Sequence, residues 1–198
     1  MKSLNLTRPH LIIMVGIPGA GKSYFAEHFA ETFRAPIVSL NGIRKDLFQN
    51  PTYSKDENHT IEKIADHMLG QVLKTDRTVV YIGQTDTKNS RIAIARKTHE
   101  AGYEPLFVWV QTEPITARKR SNKKLGKEFA ISQNAFNENL KKFTPPQANE
   151  RAVVISGKHT YASQLKIVLR RLVEPREQSF EAPVTTPRTN RNRNILIR

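Results

Sequence analysis

After a short polar lead the chain runs from Leu11 to Val15 without a polar residue and then reaches Gly16. An unbroken apolar run of that length reads as a strand covered on both faces, a feature of parallel sheets. Ser23 to Phe33 follows, with Phe25, Phe29 and Phe33 at four-residue spacing as one apolar stripe of a helix. The alternation continues with strands over 36–40, 78–82, 105–111 and 152–156. Helices are expected over 61–73, 89–101, 132–143 and 161–173, with a shorter one starting at Pro114. Leu165, Val168, Leu169 and Leu172 keep the helical period in the last of these. Strands alternating with helices at these lengths predict an α/β three-layer sandwich, a parallel sheet of about five strands with helices on both faces. The apolar period stops at Glu174, after which proline, arginine and asparagine dominate. The expectation is therefore one domain over 1–173 and a flexible basic tail over 174–198.

With 198 residues, 38% of them hydrophobic, the chain has enough apolar material for a core. No apolar run approaches the roughly 18 residues that cross a bilayer, and the first residues lack the apolar centre of a signal peptide, so a cytoplasmic protein without a membrane partner is expected. The absence of cysteine removes disulfides, thiolate metal sites and a cysteine nucleophile from the candidates. A net charge of +14, from 32 Lys and Arg against 18 Asp and Glu, points to a polyanionic partner or substrate. The six histidines form no metal-binding spacing, and Trp109, inside an apolar strand, reads as core rather than as a stacking platform.

Gly16-Ile17-Pro18-Gly19-Ala20-Gly21-Lys22-Ser23 fits G-x-x-x-x-G-K-S, with a buried strand before it and a helix after it. Glycines allow backbone N–H groups to turn inward around phosphates, and the helix start adds positive potential. The candidate nucleotide-binding residues are Gly16, Pro18, Gly19, Ala20, Gly21, Lys22, Ser23 and Tyr24. Lys22 is expected on the β and γ phosphates and Ser23 on Mg²⁺, so ATP and Mg²⁺ are the expected cofactors. Such a loop does not name the acceptor of the phosphate.

A single domain of this size, without the guanine-reading N-K-x-D element, resembles the small P-loop kinases. The runs Val38-Ser39-Leu40-Asn41-Gly42-Ile43-Arg44 and Gly83-Gln84-Thr85-Asp86 narrow the likeness. Over residues 10 to about 173 the chain resembles the polynucleotide 5′-hydroxyl kinase-like group, which includes zeta-toxin-like and other small ATP-binding kinases. The resemblance implies a D-x-x-R element after the second strand, its Asp accepting the proton of the attacking hydroxyl and its Arg contacting the acceptor. Here that element is Asn41-Gly42-Ile43-Arg44. It also implies Asp-x-Thr-Asn after the third strand with an arginine beyond it, where this chain has Gly83-Gln84-Thr85-Asp86 and Arg91. A basic lid is implied after the fourth strand, matched by Arg118, Lys119, Arg120, Lys123, Lys124 and Lys127, with Arg118 or Arg120 stabilising the transferred phosphoryl. Phe143-Thr144-Pro145-Pro146 and Gln164 match segments that close the nucleotide side.

Asparagine does not accept a proton near neutral pH, so Asn41 cannot be a literal general base. Three readings stand. The protein binds nucleotide and transfers nothing; Asn41 only orients the acceptor hydroxyl; or Asp86 has become the carboxylate of the site, as base or as Mg²⁺ ligand, with Asn41 and Asp86 at the ends of neighbouring strands. Asp86 reads equally well as the N-cap of the following helix, and Asp46 as an acidic residue of a helix start. The leading expectation is a kinase moving the γ-phosphoryl of ATP to a polynucleotide 5′-hydroxyl, with Lys22, Asn41, Arg44, Asp86, Arg118 and Arg120 as catalytic candidates. Nucleic acid or a phosphorylated acceptor suits the positive charge. The alternatives are a kinase for a nucleoside, sugar or antibiotic hydroxyl and a nucleotide-dependent nucleic-acid-binding module that grips through the tail, at Arg188, Arg191 and Arg193.

Overall fold

The computed structural model describes residues 8–124 and 132–173. Its strands are β1 His10–Val15, β2 Ile37–Ser39, β3 Val79–Ile82, β4 Glu104–Gln111 and β5 Val153–Ser156. Its helices are α1 Lys22–Phe33, α2 Leu40–Leu47, α3 Lys55–Val72, α4 Lys88–Glu100, α5 Pro114–Lys124, α6 Gln133–Lys142 and α7 Tyr161–Val173. All strand pairs are parallel, in the order β2-β3-β1-β4-β5. The side chains of Lys123 and Lys124, Lys127, and the whole of 174–198 with its three tail arginines, lie outside the described residues. Among the described residues no helix is long and apolar enough to cross a membrane.

Leu11 to Val15 are fully buried because β1 is central and covered on both faces. Alternation sends Ile12 and Met14 into one core with Phe25 and Phe29 of α1 and Val168 of α7. Leu11, Ile13 and Val15 enter the other, with Ile61 and Leu69 of α3 and Ile94 of α4. At about 1.5–3 kcal/mol for each fully buried aliphatic side chain, β1 is anchored from both layers, and the loop that follows it is delivered to the carboxyl ends of the strands.

Two boundaries differ from expectation, and both follow from helix capping. The strand expected over 36–40 ends at Ser39, whose Oγ accepts the Gly42 N–H at 3.2 Å and starts α2 at Leu40. Asn41, expected at a strand end, therefore sits in the first turn of α2. The helix expected from residue 61 starts at Lys55, because Ser54 Oγ accepts the Glu57 N–H at 3.2 Å and Asp56 and Glu57 fill the first turn.

Arg91 of α4 has no solvent exposure. Its Nε and Nη2 donate to Glu150 at 2.5 and 2.9 Å, and its Nη1 donates to the carbonyls of Thr85 and Thr144 at 3.0 and 2.9 Å. One guanidinium thus joins the end of β3 to the segment after α6. The Thr144 N–H completes the junction by donating to the Asp86 carbonyl at 2.8 Å.

Removing one partner of a buried ion pair leaves the other charge uncompensated. Arg91→Ala is expected to lower unfolding free energy by about 3–5 kcal/mol. Arg96→Ala, which breaks the exposed Arg96–Glu100 pair, is expected to cost about 0.5 kcal/mol or less. Guanidinium denaturation of the two variants measures both, and equal small losses would refute a clamping role for Arg91.

Candidate functional site

The loop between β1 and α1 closes on itself where the Ala20 N–H donates to the Ile17 carbonyl at 3.1 Å. Gly19 has φ 77°, and a Cβ there would overlap the Ala117 carbonyl oxygen of α5, so only glycine lets α5 pack on the loop. Gly21 is the N-cap of α1 and offers no side chain to the first N–H groups of the helix, which leaves them for an anion. Lys22 Nζ donates back to the carbonyls of Gly16 and Ile17, the latter at 3.1 Å. Burial lowers its pKa to about 8, against the opposing pull of the Asp86 carboxylate. Ser23 is exposed in the first turn of α1. The Tyr24 ring packs on His28, with 4.4 Å between ring centroids.

Asp86 is half-buried, and its side chain is not the helix cap. Thr87 caps α4: its Oγ1 accepts the Ser90 N–H, and Ser90 Oγ accepts the Thr87 N–H, both at 3.2 Å. The alternative role for Asp86 at the helix start thus falls to its neighbour. Burial pushes the Asp86 carboxyl up from its ordinary value, while Lys22, Arg91 and Lys142 pull it down without fully cancelling the rise. Thr85 beside it is fully buried and donates to the Met14 carbonyl at 2.8 Å, tying the end of β3 to β1.

On the other flank the arrangement departs from the sequence expectation. Asn41 is exposed, and its Oδ1 accepts from Arg44 Nη1 at 3.3 Å. Arg44, expected to face an acceptor, is buried: Nε donates to Glu57 at 2.7 Å, Nη2 to Asn58 Oδ1, and the guanidinium lies 4.6 Å from the Tyr53 ring centroid. Burial pushes the Glu57 carboxyl up, but hydrogen bonds from Thr52, Arg44 and Tyr53 outweigh it and hold the group below the usual carboxylate value. Arg44 therefore stitches α2 to α3. Asp46 is exposed on α2.

Of the lid candidates, Arg120 donates to the Gly157 carbonyl at 2.7 Å, whereas Arg118 and Lys119 are exposed on α5. Thr112 Oγ1 donates to the Ala20 carbonyl at 2.8 Å, which ties the loop after β4 to the glycine loop, and Lys158 pairs with Glu113 at 2.9 Å, which ties the loop after β5 to the loop after β4. A cavity of about 460 Å³ lies here, with Ile17, Gln111, Thr112, Phe143 and Lys158 in its wall. Trp109 also lines it and is half-buried, its ring centroid 6.5 Å from that of Phe143. Gln164 is buried and donates to the Ser156 carbonyl at 2.8 Å. A second cavity, about 300 Å³, lies beside α3 and the end of β3.

The sequence reading did not single out Glu57 or Glu150. Ser54-x-x-Glu57 is a helix-start spacing that signals the first; nothing local signals the second, whose partner is far away along the chain. Among the described residues no group of three His, Asp or Glu side chains is placed to hold a metal ion. The hard oxygens of Ser23 and Asp86 fit Mg²⁺ of the kind that travels with nucleotide phosphates and takes one or two protein ligands.

A strand, a glycine loop that offers helix-start amides, an inward lysine and a following serine hydroxyl make this a P-loop kinase-like fold and site. A family model described as an AAA domain matches residues 11–146, and the chain belongs to that family. Among solved structures the chain is similar to an APS kinase from Mycobacterium tuberculosis, in complex with AMPPNP and APS, at TM-score 0.62 and 18% identity, covering 83% of this chain and 98% of that one. It is also similar to a gluconokinase from Sinorhizobium meliloti at TM-score 0.59 and 19% identity, covering 83% and 91%. A chain of the Pnkp1/Rnl/Hen1 RNA repair complex matches at TM-score 0.60 and 22% identity, over 68% of this chain and 44% of that one. None of the curated proteins matches.

A lysine whose free-state pKa is about 8 regains its proton when phosphates meet it. Nucleotide binding at pH 9 is therefore expected to take up close to one proton, and at pH 6.5 close to none from this group. Calorimetric titration with AMPPNP in buffers of different ionisation enthalpy reads the uptake, and Lys22→Arg, which stays charged throughout, is expected to abolish it.

Proposed function

We propose that this chain is an ATP-dependent kinase that moves the γ-phosphoryl of ATP to a hydroxyl of a small acceptor, with Asp86 as the carboxylate of the site. The observation that carries this reading is a half-buried carboxylate outside the usual position and near Lys22: the two groups feel each other's charge, and Asp86 is excluded from the helix cap. The acceptor oxygen forms a bond to the γ-phosphorus, the bond from that phosphorus to the β–γ bridging oxygen breaks, and ADP leaves. The proton of the acceptor hydroxyl passes to the Asp86 carboxylate, whose raised pKa suits it to accept one. Lys22 and the amides at the start of α1 hold the β and γ phosphates. Ser23 is the residue that would hold Mg²⁺, which would supply positive charge against the phosphates. Arg118, exposed on α5 directly after Ala117, whose carbonyl packs against Gly19, is assigned to the developing charge of the phosphoryl group. Arg120 acts through the Gly157 carbonyl as a positioning residue.

The engagement of Arg44 supports a small acceptor over a polynucleotide end. Arg44, which the family resemblance would place on the acceptor, is held instead by the buried Glu57 carboxylate. The polynucleotide reading keeps the support of the +14 charge and predicts a steep fall of acceptor affinity with salt.

With labelled ATP, Mg²⁺ and a panel of neutral and charged acceptors, Lys22→Ala is expected to transfer no label. Asp86→Ala is expected to lower kcat by about 10²–10⁴-fold with ATP affinity changed by no more than about threefold. Asn41→Ala is expected to stay within about threefold of the wild type. Transfer by Asp86→Ala at close to the wild-type rate would remove Asp86 from the chemistry.

A further inference from the structure

On α3 the residues His59, Glu62, Lys63 and Asp66 fall at i, i+3, i+4 and i+7, which places them on one helical face. That face meets the carboxyl end of the sheet rather than bulk solvent alone: together with Leu40, Tyr81 and Gln84 it lines the cavity of about 300 Å³. Leu40 directly follows β2 and precedes Asn41, and Gln84 stands two residues before Asp86. The cavity therefore opens beside the strand ends that carry the transfer site.

Its donors and acceptors are of a definite kind. Glu62 and Asp66 bring two carboxylates, His59 an imidazole and Gln84 an amide. The Gln84 side-chain amide donates to Glu62, and Asp66 is paired with Lys97 of α4 at 2.8 Å. Tyr81 is 9% exposed, and its ring and hydroxyl lie against Gly83 in the wall of the cavity. Burial, with the Asp66 and Glu62 charges beside it, pushes that hydroxyl up to about 12, so it stays a donor throughout the working range of pH. In a chain of +14, the lining holds two carboxylates against Lys63 and no arginine. A phosphate or carboxylate on the acceptor would meet the Glu62 carboxylate, which is held by an uncharged amide, whereas hydroxyl and ammonium groups would meet an acceptor. A cavity at the lower end of the ligand-pocket range, about 300–1,000 Å³, accommodates a sugar-sized molecule.

Building on the kinase reading above, we infer that this cavity is the acceptor subsite, and that it takes an uncharged or amino-bearing polyhydroxyl molecule, held by Glu62, Asp66 and the Tyr81 hydroxyl. The test uses the full chain with ATP and Mg²⁺ and offers a hexose, an amino sugar, the 6-phosphate of the same hexose, a sugar acid and a 5′-hydroxyl oligonucleotide. Glu62→Gln and Tyr81→Phe are compared with the wild type, with thermal midpoints confirming that both variants fold. The expected result is transfer to the hexose or the amino sugar, with acceptor KM raised about tenfold by Glu62→Gln and by Tyr81→Phe while KM for ATP is unchanged. Preferred transfer to the phosphate, the acid or the oligonucleotide would overturn the assignment. An acceptor KM indifferent to both substitutions would overturn it too. Lys22-dependent consumption of ATP separates the two levels: if it persists in either contrary case, only the acceptor assignment falls, and if no acceptor or water supports it, the kinase reading falls and takes the assignment with it.

Discussion

Arg91 donates from a fully buried position to Glu150, to the Thr85 carbonyl and to the Thr144 carbonyl, and the rest of the site is arranged around that junction. Charge burial of this kind persists only where the ion is paired and its remaining donors are satisfied, which is the state of this guanidinium. The consequence reaches Asp86 through the chain on both sides. Thr85 is locked to β1 through the Met14 carbonyl, Thr87 is locked into α4 by its capping bonds, and the Asp86 carbonyl receives the Thr144 N–H. The backbone around Asp86 is therefore held by three independent contacts, and its carboxylate lies near enough to the lysine of the glycine loop to feel its charge.

Charge is spent unevenly across the molecule, and the unevenness carries the functional reading. Arg44 sits at a spacing that resembles an acceptor-binding element and Arg91 beyond the element after β3, yet each is paired with a carboxylate that the fold brings to it, Glu57 and Glu150. Their task is to hold α2 on α3 and the end of β3 on the segment after α6. The cations around the glycine loop include Lys22, tucked under the loop carbonyls, and the exposed Arg118 and Lys119 of α5. Cations thus collect where a nucleoside triphosphate would lie, while carboxylates collect beside β3, where the acceptor is proposed to lie. Such a division favours discrimination between two ligands of different charge in one cleft.

Much of the fold was legible because its signals are local. The apolar run Leu11 to Val15, the phenylalanine stripe of α1 and the glycine loop between them identify strand, helix and phosphate-binding turn from spacing alone. The five parallel strands and the long helices follow from the same alternation. What escaped was decided by capping or by distant partners. Ser39 ends β2 and opens α2, so Asn41 belongs to a helix turn rather than to a strand end. Ser54 opens α3 ahead of its apolar period for the same reason. Arg44 could not be separated from a ligand-gripping arginine without knowing that Glu57 folds against it, and Arg91 finds Glu150 only after β4, α5 and α6 have been laid down between them. Asp86 was ambiguous between cap and site carboxylate because Asp and Thr both cap well; the hydrogen bonds show that the cap is Thr87.

The central claim is that Asp86 supplies the carboxylate absent from position 41, and its most direct test is the pH dependence of single-turnover phosphoryl transfer in the wild type and in Asp86→Asn. A carboxylate that must be ionised to accept the proton produces a rate that falls toward low pH. The account predicts that limb in the wild type, and in Asp86→Asn a slow residual rate that is flat over the same range. The same acidic limb in Asp86→Asn, at an undiminished rate, would contradict it and assign the proton to another group.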